Sequence, residues 1–316
     1  MPPGMTRLNL GLTLGLAAIY LFFSSGPWAT RTGAATPPVA RAGSAAAAAA
    51  PQRGLARPFL WKIEGPHPSW LFGTIHSADP AVATLPPSVT AALDASRSFH
   101  PEVELSADLA PALAAKLFTA DTPPLSTRLP RALWSRVQRA GTALGLPDLL
   151  LERLSPGLAT LMFSAPTDTD VDATVDGQLH SRAAARHVTV APLETLDEQL
   201  AIFEKLPEAQ AIAALTEALD EADSGRPNEK KLLRAYASGD ERALVAAIDG
   251  EFSASPAARA LAEPLLYRRN RLMAERLAPH LAAGGAFVAI GAAHLTGPKS
   301  VIELLRARGL TITRVL

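Results

Sequence analysis

Strand-like segments lie at both ends of residues 57–316, and helix-like segments fill the region between them. Two β-rich runs, Phe59–Glu64 and Trp70–Ile75, flank the five residues Gly-Pro-His-Pro-Ser and predict a hairpin. Near the other end, Phe287–Ile290 predicts a buried strand and Thr311–Val315 a closing strand. This order predicts an α/β fold, in which a mixed central sheet built from the N- and C-terminal segments carries a large helical middle region.

The remaining elements follow from the spacing of apolar residues and from breaks at Gly and Pro. Apolar residues in the middle of the chain recur at intervals of three and four, as in helices with one buried face. The pattern predicts strands at 99–105 and 188–193, and helices at about 86–96, 107–119, 130–145, 148–163, 170–186, 197–222, 227–237, 240–249, 256–283 and 297–308.

The first 56 residues do not resemble a folded domain. Residues 8–23 are uncharged and almost entirely apolar, and they follow a single charged residue, Arg7. Within residues 1–29 this run predicts an export signal or an N-terminal membrane anchor, and a buried core helix is the competing interpretation. The Ala- and Pro-rich residues 30–56 predict a disordered linker. We therefore expect one domain, 57–316, outside the cytoplasm on the periplasmic or extracellular side.

Charge and cysteine content narrow the possible chemistry. Lys+Arg and Asp+Glu both number 30, but residues 1–56 hold four Arg and no acid, so residues 57–316 carry an acidic excess. An acidic domain is not a general nucleic-acid binder. The absence of Cys excludes disulfides, a thiol nucleophile and thiolate metal sites. Histidines, carboxylates and hydroxyls remain.

Two segments near opposite ends of the domain share the order strand, Gly-x-x-His, polar turn. They are Phe72-Gly73-Thr74-Ile75-His76 and Ile290-Gly291-Ala292-Ala293-His294. If their strands are neighbours, both imidazoles face one crevice at the carboxyl edge of the sheet. Two imidazoles and a carboxylate suit a divalent metal, and Glu104 or Glu102 could supply the carboxylate. The alternative, a hydrogen-bonded turn histidine in each segment, stays open.

These segments resemble the opening and closing motifs of the TraB/PrgY/GumN family, which is similar to the Tiki metallopeptidases and, more remotely, to erythromycin esterase-like and ChaN-like folds. Further matching blocks are Val175–Leu179, Leu193–Thr195, Glu198–Leu200 and the pair Arg269-Asn270. The resemblance implies a divalent metal, with Mn, Co or Zn plausible, held by His76, His294 and Glu104.

The function that the resemblance implies is a metal-dependent hydrolase, in particular a peptidase acting on peptides or proteins. Glu102 or Asp176 could serve as general base, Arg269 could stabilise an oxyanion or bind a substrate carboxylate, and Asn270 could donate a hydrogen bond. Arg269 could instead belong to a solvated helix face, and Glu194 could cap a helix or orient a ligand histidine. The alternative function is a non-catalytic binding or regulatory module that sequesters metal, haem or peptide.

Overall fold

The structure, a computed structural model, describes residues 55, 57–104, 123–165 and 171–315. The apolar segment 8–23, the helix expected at 107–119 and all of the linker 30–56 except Leu55 lie outside these residues. Among the described residues, no helix combines the length and the apolar character that a membrane span requires.

The described strands form one six-stranded sheet, which confirms the predicted α/β fold with strands from both ends of the domain. The strands are β1 (Leu60–Ile63), β2 (Ser69–Thr74), β3 (Ser98–Pro101), β4 (Thr189–Val190), β5 (Ala286–Gly291) and β6 (Ile312–Arg314). Their order across the sheet is β4-β3-β5-β2-β1-β6. The sheet is mixed, because β1 runs antiparallel to β2 and β6, whereas β2, β5, β3 and β4 are mutually parallel.

The late strand β5 occupies the middle of the sheet and joins its two halves. Phe287 in β5 pairs with Trp70 in β2 on one side and with Phe99 in β3 on the other. Since β2, β3, β4 and β5 are parallel, their carboxyl ends meet at one edge. Ligands of open α/β sheets gather at such an edge.

Both faces of the sheet are covered, as a largely parallel sheet requires. On one face, Phe72, Phe99 and Phe287 pack against α2 (Pro87–Asp94) and α7 (Val175–Ala185). The opposite face packs against the helical middle region in a larger apolar cluster. The other described helices are α1 (Pro80–Ala83), α3 (Leu125–Arg128), α4 (Arg131–Ala143), α5 (Asp148–Leu151), α6 (Pro156–Ser164), α8 (Leu196–Glu204), α9 (Glu208–Asp223), α10 (Pro227–Ala237), α11 (Glu241–Ser253), α12 (Pro256–Ala262), α13 (Arg268–Ala283), α14 (Ala292–Leu295) and α15 (Val301–Arg306).

Three helices predicted as continuous divide near a proline in the structure, and the predicted helix 170–186 begins with a separate 3₁₀ turn, Val171–Ala173, before α7. The segment 148–163 divides into α5 and α6, with Pro156 in the first turn of α6, and 197–222 divides into α8 and α9 around Pro207. The segment 256–283 contains a π-helical turn, Glu263–Tyr267, between α12 and α13. Pro264 lies in that turn, and proline lacks the N–H of a regular helical hydrogen bond. Periodicity alone did not reveal these breaks.

Strand β3 ends at Pro101, earlier than the predicted limit of 105. Beyond this point the chain bends, yet the carbonyl groups of Pro101 and Glu102 still accept hydrogen bonds from the backbone N–H groups of Leu193 and Glu194. The side-chain alternation of an ideal strand therefore cannot be extended to Glu104.

Glycine at position 73 permits the close approach of the two Gly-x-x-His segments. A Cβ at Gly73 would lie 2.9 Å from the Cα of Ala292 and 3.1 Å from the Cβ of Phe59. Contacts below 3.0 Å between carbon atoms of this kind force the backbone to move. The opening motif thus needs its glycine for packing against the closing motif.

We expect Gly73→Ala to destabilise the protein by about 1–3 kcal/mol, the range for overpacking a tight core. Urea denaturation of the full chain measures the change. Gly65→Ala is the matched control, because a Cβ there meets nothing nearer than 3.8 Å. Equal stability of the two variants would contradict the close approach.

Candidate functional site

The carboxyl edge of the parallel strands brings together polar side chains from four connections. His76 follows β2, Glu102 follows β3, Glu194 follows β4, and His294 lies on α14 directly after β5. His294, Glu102 and Glu194 are buried, and the side chain of His76 is 10% exposed. The two Gly-x-x-His segments therefore meet at one site, as the sequence predicted.

The contacts of Asn270 determine the tautomer of His294. The Nδ2 group of Asn270 donates to the backbone carbonyl of Lys299 at 2.9 Å, so its Oδ1 is the atom that faces Nδ1 of His294 at 2.6 Å. Because this oxygen can only accept, Nδ1 of His294 carries the hydrogen. Nε2 of neutral His294 then keeps a lone pair, and it lies 3.7 Å from Oε1 of Glu102.

His76 is oriented in the same way by a carboxylate. Its Nδ1 lies 2.9 Å from Oδ2 of Asp176, which is in the first turn of α7. Its Nε2 is buried and has no hydrogen-bond partner. Metal-binding histidines commonly donate one ring N–H to a carboxylate or carbonyl while the other nitrogen faces the ion. In this site Nδ1 of each imidazole is paired with an oxygen, of Asp176 for His76 and of Asn270 for His294.

A buried ion-pair network fixes Glu102. Its Oε2 accepts from Nη2 of Arg269 at 2.7 Å, and its Oε1 accepts from the backbone N–H of Gly291 at 2.5 Å. Arg269 also donates to both carboxylate oxygens of Glu194 at 2.6–3.1 Å, and Gln199 donates to Glu194 at 3.1 Å. One guanidinium thus holds two buried carboxylates.

Burial and neighbouring charges set the protonation of the site. Burial alone would lower the pKa of His76, but the carboxylate of Asp176 outweighs it and raises that pKa to about 9. Burial and the charge of Arg269 lower the pKa of His294 to about 3, so this imidazole is neutral. Although burial opposes ionisation of Glu102, Arg269 lowers its pKa to about 2 and keeps it anionic.

The π-helical turn leads directly into the helix that supplies Arg269 and Asn270. These adjacent residues are both buried in the first turn of α13, whereas Arg268 and Arg271 on either side are exposed. The carbonyl of Leu265, within the π turn, accepts from Nη1 of Arg269 at 3.3 Å. Such turns are frequent at functional sites. The alternative of a solvated helix face therefore holds for Arg268 and Arg271 and not for the pair between them.

A small cavity with an apolar wall adjoins the two histidines. About 20 Å³ of it is open to the centre of a water molecule, which is room for one water. Tyr236 on α10 closes part of this wall, and its hydroxyl donates to the carbonyl of Gly73 at 2.7 Å. The lining residues are Thr74, Ile75, His76, Leu232, Tyr236, Leu244, Ile248, Gly291, Ala292, Ala293 and His294.

The donor types at this site suit a divalent metal, but the described side chains do not form a complete set of ligands. Imidazole nitrogens with a carboxylate are ligands for Zn²⁺ or Mn²⁺, and Nε2 of His76 has no hydrogen-bond partner. Because the pKa of His76 is raised to about 9, Nε2 carries a proton at neutral pH, which a bound ion would displace. Among the described residues, no group of three or more His, Cys, Asp and Glu side chains is arranged to hold an ion. Arg269 and Gly291 engage both oxygens of Glu102.

The structure brings together most of the residues proposed from the sequence and leaves out Glu104. Glu104 is exposed, whereas Glu102 is buried between Arg269 and Gly291. We therefore assign the carboxylate of the site to Glu102. An ideal strand would place Glu102 and Glu104 on the same face. Because β3 ends at Pro101, that alternation does not extend to Glu104, and only Glu102 is buried.

Several side chains have contacts other than those expected. Asp176, a candidate base, contacts His76, while Arg269 binds the two glutamates and Asn270 binds His294. Thr195, and not Glu194, caps α8 through a capping box with Glu198. The sequence did not indicate the contact of Tyr236 with Gly73, because an aromatic residue on the apolar face of a helix is typical of any hydrophobic core.

The carboxyl edge of this α/β sheet carries two Gly-x-x-His segments, an acidic side chain and an Arg-Asn pair. Together, the fold and these residues define a class of protein with a histidine–carboxylate site. The chain belongs to the TraB/PrgY/gumN family, whose sequence model matches residues 59–314. This confirms the resemblance drawn from the sequence.

Two relatives are named metalloprotease TIKI2. The protein from Danio rerio is 26% identical over 80% of this chain and 60% of its own length. The protein from Xenopus tropicalis is 25% identical over 80% of this chain and 59% of its own length. This chain thus spans about three fifths of each relative. No solved structure gives a significant match.

We expect Arg269→Leu to destabilise the protein by about 3–5 kcal/mol, because it leaves Glu102 and Glu194 buried without their cation. The matched control is Arg271→Leu, whose ion pair with Glu263 is exposed and should contribute no more than about 1 kcal/mol. Urea denaturation of both variants measures the difference. A loss for Arg269→Leu no larger than for the control would contradict the role of the network.

Proposed function

We propose that this chain is a metal-dependent hydrolase of peptides or proteins, with His76, His294 and Glu102 as the metal ligands. The single observation that carries the proposal is the buried Nε2 of His76, which has no partner while Asp176 holds Nδ1. A buried nitrogen in a native site is normally paired, so an unpaired one suggests a missing ion or water. The name of the TIKI2 relatives supports the same chemistry.

The surrounding residues would fix these ligands and the charge of the site. Asp176 orients His76, and Asn270 orients His294 with its Nε2 lone pair toward Glu102. Arg269 keeps Glu102 ionised and anchors it to Glu194. A bound divalent ion would supply Lewis acidity, which activates water and polarises a carbonyl. The apolar wall would limit access of bulk water to the reacting groups.

The remaining parts of the proposal concern the ion, the substrate and the location. Imidazole and carboxylate ligands are compatible with Zn²⁺, Mn²⁺ or Co²⁺. A peptide bond is the substrate that the metalloprotease relatives suggest. Export through residues 8–23 would place the domain on the periplasmic or extracellular side, with membrane attachment if that segment is retained.

A second candidate is a non-catalytic binding module on the same fold. The observation that favours it is the engagement of Glu102, whose two oxygens already accept from Arg269 and Gly291. If Glu102 stays in these contacts, only two imidazole ligands remain. Such a site could bind a metal or peptide without hydrolysing it.

We expect the full chain to bind one divalent ion per molecule, and His76→Ala, His294→Ala and Glu102→Gln each to weaken that binding at least tenfold. The reason is that each change removes or neutralises a proposed ligand. Isothermal titration with Zn²⁺, Mn²⁺ and Co²⁺ measures the affinity, and cleavage of a peptide library with and without a chelator measures the activity.

Two controls separate the site from the rest of the surface. His67→Ala removes an exposed imidazole, and Glu104→Gln neutralises the exposed carboxylate two residues from Glu102. Both should leave metal affinity unchanged. Absence of metal binding by the unaltered chain, or equal loss in Glu104→Gln and Glu102→Gln, would refute the ligand set. Metal binding without cleavage of any peptide would favour the binding module.

A further inference from the structure

The connection between α14 and α15 contains a residue with an unfavourable backbone conformation close to the site. Lys299 has a φ of 60°, and it is one of three non-glycine residues with positive φ in the part of the chain that the structure describes. The left-handed region is unfavourable for a residue with a Cβ, because the Cβ crowds the following carbonyl oxygen. Residues held in such conformations cluster at functional sites, where the surrounding structure compensates for the strain.

The main chain of Lys299 is bound to the helix that carries the Arg-Asn pair. Its carbonyl oxygen accepts from Nδ2 of Asn270 at 2.9 Å. Asn270 is buried, and its Oδ1 lies 2.6 Å from Nδ1 of His294. The side-chain amide of Asn270 therefore lies between two partners, the carbonyl of Lys299 and the imidazole of His294.

The side chain of Lys299 is bound to the same part of the fold. Its Nζ lies 4.6 Å from the centroid of the ring of Tyr267, the last residue of the π-helical turn before α13. An ammonium group over an aromatic ring at this distance is attracted to the face of the ring. Tyr267 and Asn270 are neighbours on one side of the helix, since they are three positions apart. Together they hold the side chain and the main chain of Lys299, which supports its left-handed conformation.

We propose that Lys299 is a positioning residue for His294. Its backbone conformation directs the carbonyl oxygen to Nδ2 of Asn270, so that the amide oxygen is the atom that faces the imidazole. His294 is thereby kept in the tautomer that has the hydrogen on Nδ1 and the lone pair on Nε2.

The carbonyl of Lys299 makes the two orientations of the Asn270 amide unequal in energy. Rotation of this amide by a half turn exchanges Oδ1 and Nδ2, which have nearly the same shape. Nδ2 would then donate to Nδ1 of His294, and the neutral imidazole would carry its hydrogen on Nε2. The carbonyl of Lys299 opposes that rotation, because it can accept from Nδ2 but gains nothing from a second oxygen.

The tautomer of His294 is independent of the proposed hydrolase function, whereas its consequence for metal affinity rests on that function. An imidazole nitrogen binds an ion through its lone pair, so a hydrogen on Nε2 blocks the proposed ligand atom. Loss of the groups that orient metal-binding histidines weakens metal affinity by about 10–100-fold. Lys299 acts through Asn270, so we expect an effect of about tenfold, at the lower limit of this range.

Two substitutions separate the backbone conformation of Lys299 from its side chain. Lys299→Gly permits a positive φ without crowding, whereas Lys299→Val strongly disfavours it because valine is β-branched. Both variants lose the contact with Tyr267. We therefore expect Lys299→Gly to keep the hydrogen of His294 on Nδ1, and Lys299→Val to show a second population with the hydrogen on Nε2.

Nitrogen-15 NMR of the full chain, treated with a chelator and kept at neutral pH, measures the tautomer. Protonated and unprotonated ring nitrogens have well-separated chemical shifts, and the signals of His294 are identified by their absence in His294→Ala. Lys205→Val is the matched control, because Lys205 is exposed and has a φ of −90°. It should give the same His294 signals as the unaltered chain.

A single Nδ1–H tautomer in Lys299→Val would overturn the proposal, and so would an equal change in Lys299→Gly. If Lys299→Val fails to fold, Lys299→Ala decides, because alanine also disfavours a positive φ; signals identical to those of Lys299→Gly would then refute the role of the backbone.

Titration with Zn²⁺ completes the comparison. We expect Lys299→Val to bind the ion about tenfold more weakly than Lys299→Gly. Equal affinities would contradict the link between Lys299 and the metal site. If the unaltered chain binds no Zn²⁺, Mn²⁺ or Co²⁺, the proposed function fails, while the NMR comparison still decides whether Lys299 sets the tautomer of His294.

Discussion

The buried guanidinium of Arg269 is the contact on which the site depends. It lies between Glu102, which follows β3, and Glu194, which follows β4, and it belongs to a helix near the C-terminal end of the chain. Without this cation the carboxyl edge of the sheet would hold two unpaired buried anions. The network also aligns the backbone of β5, because Glu102 accepts the N–H of Gly291. Charge compensation and strand register are therefore linked.

Much of the fold and the pair of histidines could be predicted from the sequence. The strand-like segments at both ends of the domain predicted one sheet built from both ends. The repeated Gly-x-x-His predicted that two imidazoles lie close together at the carboxyl edge of that sheet. These predictions succeed because periodicity and the position of glycine are local properties. The helices were harder, since breaks at Pro156, Pro207 and Pro264 interrupt patterns that remain apolar across them.

The identity of the carboxylate and the partners of each imidazole could not be predicted. Glu102 and Glu104 share one face of an ideal strand, and only the early end of β3 separates the buried side chain from the exposed one. Likewise, the composition of Arg268 to Arg271 indicates an exposed helix face, and only the family resemblance singled out Arg269 and Asn270, the two buried residues of the four. Those assignments depend on packing between elements that are distant along the chain.

The central position of β5 has a consequence for synthesis. As the chain emerges from the ribosome, β1 to β4 precede β5 by a long helical region, yet β5 is the strand that separates β2 from β3. Until it arrives, β2 and β3 each present an open edge of unpaired backbone groups, which is a template for association with other chains. Contacts between residues that are far apart in the sequence form slowly during folding. The nascent protein therefore passes through a period in which these edges stay unpaired unless its own helices or another protein cover them.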